Sequence, residues 1–195
     1  MATVFAEQSV SLDGFSAGGN IGPTNPLGDR GEELHRWMFE GETPGILRDS
    51  WSGIGAVILG QRMFELGWEP WGHDNPWGKP AFVLTHLPKT TISPPGGRPF
   101  TFVTEGIHRA LEQAGEAAGN RPVAIAGGAS TVQQYLRAGL VDELYLHIVP
   151  IILGNGIRLL DGVDGTSIQA QTDVLGTTMG TVHLRYRIAR RMPSA

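Results

Sequence analysis

Apolar residues in this chain fall in short runs that alternate with stretches of helical period, and glycine or proline marks most of the breaks. Residues 3–11 carry Val4, Ala6 and Val10 and read as a strand, ended by Leu12-Asp13-Gly14. Residues 32–40 place Leu34, Trp37 and Met38 on one helical face, with Glu32 and Glu33 where the helix dipole favours acids. A further helical turn is expected over 45–52. The branched run 54–59 reads as a buried strand, stopped by Gly60 and followed by a short helix from Gln61. Strands are also predicted at 81–84, 100–103, 123–126 and 143–149, and helices at 106–118 and 132–138. Residues 151–160 read as a loop or a short strand pair. The tail, 169–178 and 181–189, has the period-two pattern of a hairpin, with His183, Arg185 and Arg187 alternating with apolar neighbours.

Strands alternating with helices predict an α/β fold: a mixed, mostly parallel sheet flanked by helices on both faces, with a C-terminal antiparallel hairpin. The whole chain, 1–195, reads as one domain. Ligands of such sheets bind at the carboxyl ends of the strands. Four candidate groups fall there: Asp13 with the loop after it, Gly60 to Met63, Thr85-His86, and Gly127 to Thr131. The last is a strand, a Gly-Gly pair and a helix start, with Ser130 or Thr131 placed to cap the helix. Taken alone, this junction is either a tight turn or a phosphate cradle, in which free helix N–H groups face an anion. The convergence of four groups at one sheet edge favours the cradle. The glycine-rich loop 14–31 is either a lid over that edge or a plain surface loop.

Composition removes several classes of function. The absence of cysteine excludes disulfides, thiolate metal sites and cysteine nucleophiles. Six histidines are scattered without a metal-binding pair, so no metal is expected. A net charge of −4 without a basic run argues against nucleic acid and against a polybasic membrane patch. No signal peptide or apolar span is seen, and a cytoplasmic protein is expected.

The ordered set Ser11-Leu-Asp-Gly14, Leu59-Gly-Gln-Arg-Met-Phe64, Val83-Leu-Thr-His86, Val123-Ala-Ile-Ala-Gly-Gly-Ala-Ser130, Gly139-Leu-Val-Asp-Glu143 and Val149-Pro-Ile-Ile-Leu-Gly154 resembles the dihydrofolate reductase-like family. Within it, the set is most similar to the C-terminal reductase domain of bifunctional riboflavin biosynthesis enzymes. The resemblance implies NADPH as cofactor. Gly127, Gly128, Ala129, Ser130 and Thr131 would hold the pyrophosphate, and Gly60, Arg62 and Met63 would lie along the adenosine and phosphate side. Thr85 and His86 match the strand end that meets the 2′-phosphate. An arginine fork, a hydroxyl and an imidazole suit that anion chemically. Met63 stands where the family has threonine. The zinc-binding cysteines of the companion deaminase domain have no counterpart, which implies a free-standing reductase.

The implied reaction is hydride transfer to an unsaturated carbon–nitrogen centre of a pyrimidine- or pterin-type substrate, with the loop 13–28 as a lid over the nicotinamide. Asp13 and Glu33 are the candidate catalytic acids, although Asp13 could equally hold a turn and Glu33 could simply favour the helix start. Trp37, Leu153 and Gly154 are expected around the substrate. A phosphoribosyl substrate needs a cation, for which Arg30 is the candidate. Dihydrofolate reduction is an alternative, as is a non-catalytic nucleotide-binding role. The resemblance makes a homodimer plausible.

Overall fold

The computed structural model describes residues 2–40, 51–164 and 170–188. In chain order its elements are β1 (Val4–Ser11), β2 (Phe15–Ala17), a 3-10 turn (Gly31–His35) running into α1 (Arg36–Glu40), β3 (Ala56–Gly60), α2 (Gln61–Gly67), β4 (Ala81–Leu84) and β5 (Phe100–Val103). There follow α3 (Ile107–Ala118), β6 (Val123–Gly127), α4 (Ala129–Arg137), β7 (Glu143–Val149), β8 (Ile157–Arg158), β9 (Ala170–Thr178) and β10 (Thr181–Ile188). Most of the helical turn expected at 45–52, and the first and last residues of the expected hairpin, lie outside the described residues.

The main sheet has the order β5-β4-β3-β6-β1-β7-β10-β9. Its first six strands are mutually parallel, because helical or looped crossovers return the chain in the same direction each time. The C-terminal hairpin then adds β10 antiparallel to β7, with β9 at the edge. Both faces of the parallel part are covered, so its strands are apolar on both sides rather than alternating. On β3, Ala56 and Ile58 join a cluster with Ala110, Ala114 and Ala118 of α3 and Val132, Tyr135 and Leu136 of α4. Val57 and Leu59 join the opposite cluster, with Phe64 of α2 and Leu34 and Trp37 of the 3-10 and α1 segment. No described helix is long and apolar enough to cross a membrane.

The loop 14–31 is not a structureless connection. Its first residues form β2, which pairs with β8 in a second, two-stranded sheet. The remainder is closed at its neck by the Gly18 N–H on Leu27 O (2.9 Å) and the Asp29 N–H on Gly19 O (2.8 Å). The Asp29 carboxylate accepts from the Asn20 and Asn25 amides.

One part of the core is polar. Glu7 on β1, His147 on β7 and His183 on β10 face the Trp37 side of the sheet, all nearly inaccessible to water. His147 Nε2 meets Glu7 Oε1 at 2.9 Å, and the Nδ1 atoms of His147 and His183 are 2.9 Å apart. Trp51 Nε1 donates to the second Glu7 oxygen, and Trp37 Nε1 donates to Ser9 Oγ. The Trp37 ring packs on both imidazoles at 4.5 and 4.7 Å between centroids. Buried charge requires such partners, and Glu7 has one on each oxygen. His183 Nε2 has no partner among the described residues. Burial, and then the neighbouring His147 charge, hold the His183 pKa down to about 4.

This makes the fold acid-sensitive in a defined window. An unfolded chain takes up a proton at His183 below about pH 6.5, whereas the folded chain refuses it until about pH 4, so protons favour unfolding between those values. The gap corresponds to roughly 3 kcal/mol of stability, present above pH 6.5 and withdrawn as the pH falls toward 4. Urea unfolding across that range should show a steep loss for the wild type and a shallower one for His183→Leu. Equal slopes would contradict the assignment.

Candidate functional site

β3 and β6 are neighbours, and both run straight into helices at their carboxyl ends. Neither α2 nor α4 has a side-chain cap at its N-terminus. In α4 the Thr131 and Val132 N–H groups turn back to Gly128 O at 3.0 and 3.2 Å. The N–H groups of Ala129 and Ser130 are left as the orphan donors of a helix start. Gly127 has φ +129°, a conformation open to glycine, and its peptide bond to Gly128 is cis. A Cβ built on Gly128 meets no atom within 4 Å, so the space beside the cap position is open. A Cβ on Gly60, in contrast, would stand 2.6 Å from Thr131 Oγ1. Gly60 therefore lets the two helix starts approach each other.

The expected cap is thereby corrected. Gly128, not Ser130 or Thr131, occupies the cap position. Thr131 is buried against Gly60, and Ser130 is exposed on the first turn. Met63 brings its sulfur 3.4 Å from the Cβ position of Gly127 and so borders the same space. Arg62 is exposed and donates to Ile21 O in the 14–31 loop at 3.3 Å, tying that loop to α2. Thr85 does not present its hydroxyl outward. It is buried, accepts from the Leu87 N–H at 3.1 Å and lies 2.5 Å from Gln61 Oε1. Its hydroxyl is consumed by the turn, whereas His86 beside it is exposed.

At the other end of the sheet edge, Asp13 accepts from Ser11 Oγ (2.6 Å), the Leu153 N–H (3.1 Å) and the Gly154 N–H (2.7 Å). The Ser11 hydroxyl first, then these backbone donors, pull its pKa down to about 2. Asp13 is thus a fixed anion that fastens the 153–154 loop to β1, and it holds no proton to donate near neutral pH. Leu153 and Gly154 are placed by that carboxylate, with their N–H groups already used. Glu33 is paired to Arg30 through both oxygens, at 2.7 and 3.2 Å, which lowers its pKa as well. Arg30 also donates to Ile152 O at 3.0 Å, so the expected phosphate-binding cation is committed to Glu33 and to the 151–154 loop. A cleft beside the helix start is lined by Leu27, Glu32, Glu33, His35, Arg36 and Phe39. Trp37 is not among them: at 2% exposure it supports the helix from beneath instead of facing a substrate.

Sequence reasoning missed Glu7, Gln8, His147 and His183. The available signal was a set of polar residues inside strands that the alternation of helices and strands places at the centre of the sheet. The Asp13 arrangement predicts that the amide NMR signals of Leu153 and Gly154 titrate with a midpoint of about pH 2, not near the ordinary carboxylate value of 3.8, and that Asp13→Asn abolishes the titration. A midpoint near 3.8 would show that these contacts do not persist in solution.

Comparison with known proteins agrees with this fold. Over 95% and 96% of the two chains, the structure is similar to dihydrofolate reductase from Enterococcus faecalis complexed with NADP(H) and RAB-propyl (TM-score 0.57, 15% identity). It is similar over 97% and 93% to a pyrimidine reductase-like protein from Corynebacterium diphtheriae (TM-score 0.61, 14% identity). It also matches a putative riboflavin biosynthesis protein from Shewanella sp. PV-4 over 97% of this chain and 100% of that one (TM-score 0.66, 22% identity). At these identities the likeness establishes the shared dihydrofolate reductase-like fold. In sequence, the uncharacterized protein YwjB of Bacillus subtilis is 27% identical over 132 residues, 63% of this chain and 69% of that protein. The family model of the RibD C-terminal domain matches residues 2–183, and on that match the chain belongs to the RibD C-terminal domain family.

Proposed function

We propose that this chain is an NADPH-dependent reductase that transfers a hydride to an unsaturated carbon–nitrogen centre of a pyrimidine- or pterin-type heterocycle. The observation that carries this reading is the β6–α4 junction, whose Ala129 and Ser130 donors are uncapped beneath open space at Gly128. A helix start with free N–H groups and its dipole aimed outward suits a diphosphate. Membership of a reductase family, and the NADP(H) held by the similar Enterococcus reductase, support the same cofactor.

In this reading Arg62 and His86 meet the 2′-phosphate, since both are exposed at the β3–β4 side of the cradle. Arg62 then exchanges Ile21 O for a phosphate, which links nucleotide binding to the 14–31 loop. The bound nicotinamide supplies the hydride. Substrate sits in the cleft beside the 3-10 turn, with the Phe39 ring exposed for stacking and Glu32 and Glu33 offering acceptors to ring N–H groups. Asp13 and Glu33 serve as fixed anions, not as acids. His35 also lines the cleft, and burial, then the nearby His147, lowers its pKa. A phosphoribosyl substrate would have to take Arg30 from Glu33.

Quenching of tryptophan fluorescence by NADPH and NADH tests the cradle. NADPH should bind more tightly than NADH, and Arg62→Ala should lose about tenfold for NADPH alone, the scale of one charge-assisted contact. Gly128→Ala should bind within a few-fold of the wild type, because its Cβ meets nothing. Gly128→Asp should lose on the order of 100-fold, since it sets a carboxylate against the diphosphate. Unchanged affinity in Gly128→Asp would overturn the phosphate assignment.

A further inference from the structure

We infer that Gln8 is a positioning residue for the nicotinamide-ribosyl half of the dinucleotide, accepting a hydrogen bond from it through its side-chain oxygen. The inference rests on the cradle reading above, and three observations on this chain carry it.

The first is the orientation of the side chain. Gln8 Nε2 donates to Ala126 O at 2.9 Å and to Glu7 O at 2.6 Å. Both acceptors are carbonyls, so turning the amide over would set oxygen against oxygen at each contact. The chemistry therefore fixes which end is nitrogen. The second is what remains. With both N–H groups used, Oε1 has no partner among the described residues, and it stands 3.7 Å from the Cβ position of Gly127, beside Met63 Sδ. A half-buried acceptor is thus held ready on the floor of the cradle, and a ligand group that meets it must be an N–H or O–H donor.

The third observation is direction. The sheet order runs β4-β3-β6-β1, and the exposed Arg62 and His86 side chains follow β3 and β4. A dinucleotide with its 2′-phosphate on that side and its diphosphate over β6 must carry its other half onto β1. The register pairs Ala6 with Ile125, which puts Gln8 level with Gly127 and leaves Ser9 to Ser11 beyond it. That half of the dinucleotide has two kinds of donor, the carboxamide N–H of the nicotinamide and the hydroxyls of its ribose. Gln8 is suited to either.

The test is calorimetric titration of the wild type and Gln8→Met with three probes: NADP+, its 3-acetylpyridine analogue, and adenosine 2′,5′-bisphosphate. Gln8→Met should bind NADP+ about tenfold more weakly, the scale of one lost hydrogen bond. Adenosine 2′,5′-bisphosphate, which lacks the nicotinamide half, should bind both proteins equally. If the loss vanishes with the acetylpyridine analogue, the carboxamide is the donor; if it persists, the ribose hydroxyl is. Equal NADP+ affinity in both proteins overturns the inference while leaving the cradle intact, and so does a matching loss for adenosine 2′,5′-bisphosphate. A wild type that binds no NADP+ defeats the cradle reading and this inference with it. Should Gln8→Met fail to fold, the Gln8 side-chain amide signal in NMR of the wild type replaces it. That signal should move with NADP+ and stay in place with adenosine 2′,5′-bisphosphate, and a signal that ignores NADP+ overturns the inference.

Discussion

The architecture depends on the placement of β1 between β6 and β7, hydrogen-bonded to both in parallel register. A parallel strand buried on both faces has no tolerance for slippage, because every side chain that turns to the wrong face meets packed neighbours. That register fixes the rest. Ala6 opposite Ile125 carries β6 up to the glycine pair, so α4 starts beside Gln8. Ser11 opposite Val149 sets Asp13 within reach of the 153–154 amides. Glu7, on the other face, meets His147 and, through it, His183. One strand therefore carries the Gln8 amide beside Gly127, leads into the loop anchor Asp13 and holds the buried Glu7–His147 contact, all within a few residues.

Charge is distributed with the same economy. The acids of this region are held by local partners: Glu33 pairs with Arg30, Glu40 pairs with Arg36, and the Asp13 anion accepts from a hydroxyl and backbone donors. These contacts are largely exposed and add little to stability, but they fix geometry. Arg30 joins the helix start to the 151–154 loop, and Arg62 joins α2 to the 14–31 loop. The starts of α2 and α4, at Gln61 and Ala129, both lack a side-chain cap on the same edge. The edge thus carries uncapped helix starts at β3 and β6, and hydrogen-bonded carboxylates beyond β1.

Much of the fold was legible because periodicity reports burial. The runs 81–84, 100–103 and 143–149 coincide with β4, β5 and β7, and the Gly-Gly break falls where β6 meets α4. What escaped was set by tertiary contacts. Thr85 reads as a ligand hydroxyl, but its neighbour Leu87 needs a hydrogen-bond acceptor at the turn and takes it. Trp37 reads as a site residue in a helix of uncertain register, whereas the polar patch under it on β1, β7 and β10 draws the ring inward. The 14–31 stretch reads as a loop because β2 and β8 are too short to carry a pattern, and their pairing joins Phe15 to Arg158 and Ala17 to Ile157, far apart in sequence. Gln8 carried no signal beyond being polar in a strand, since the orientation of its amide depends on which carbonyls surround it.

The most direct test of the central claim is a crystal structure of the chain grown with NADP+. The diphosphate oxygens should lie within about 2.7–3.2 Å of the Ala129 and Ser130 N–H groups, beside Gly128, with the 2′-phosphate toward Arg62. A nucleotide seated elsewhere, or one lying with its adenosine over β1, would contradict it.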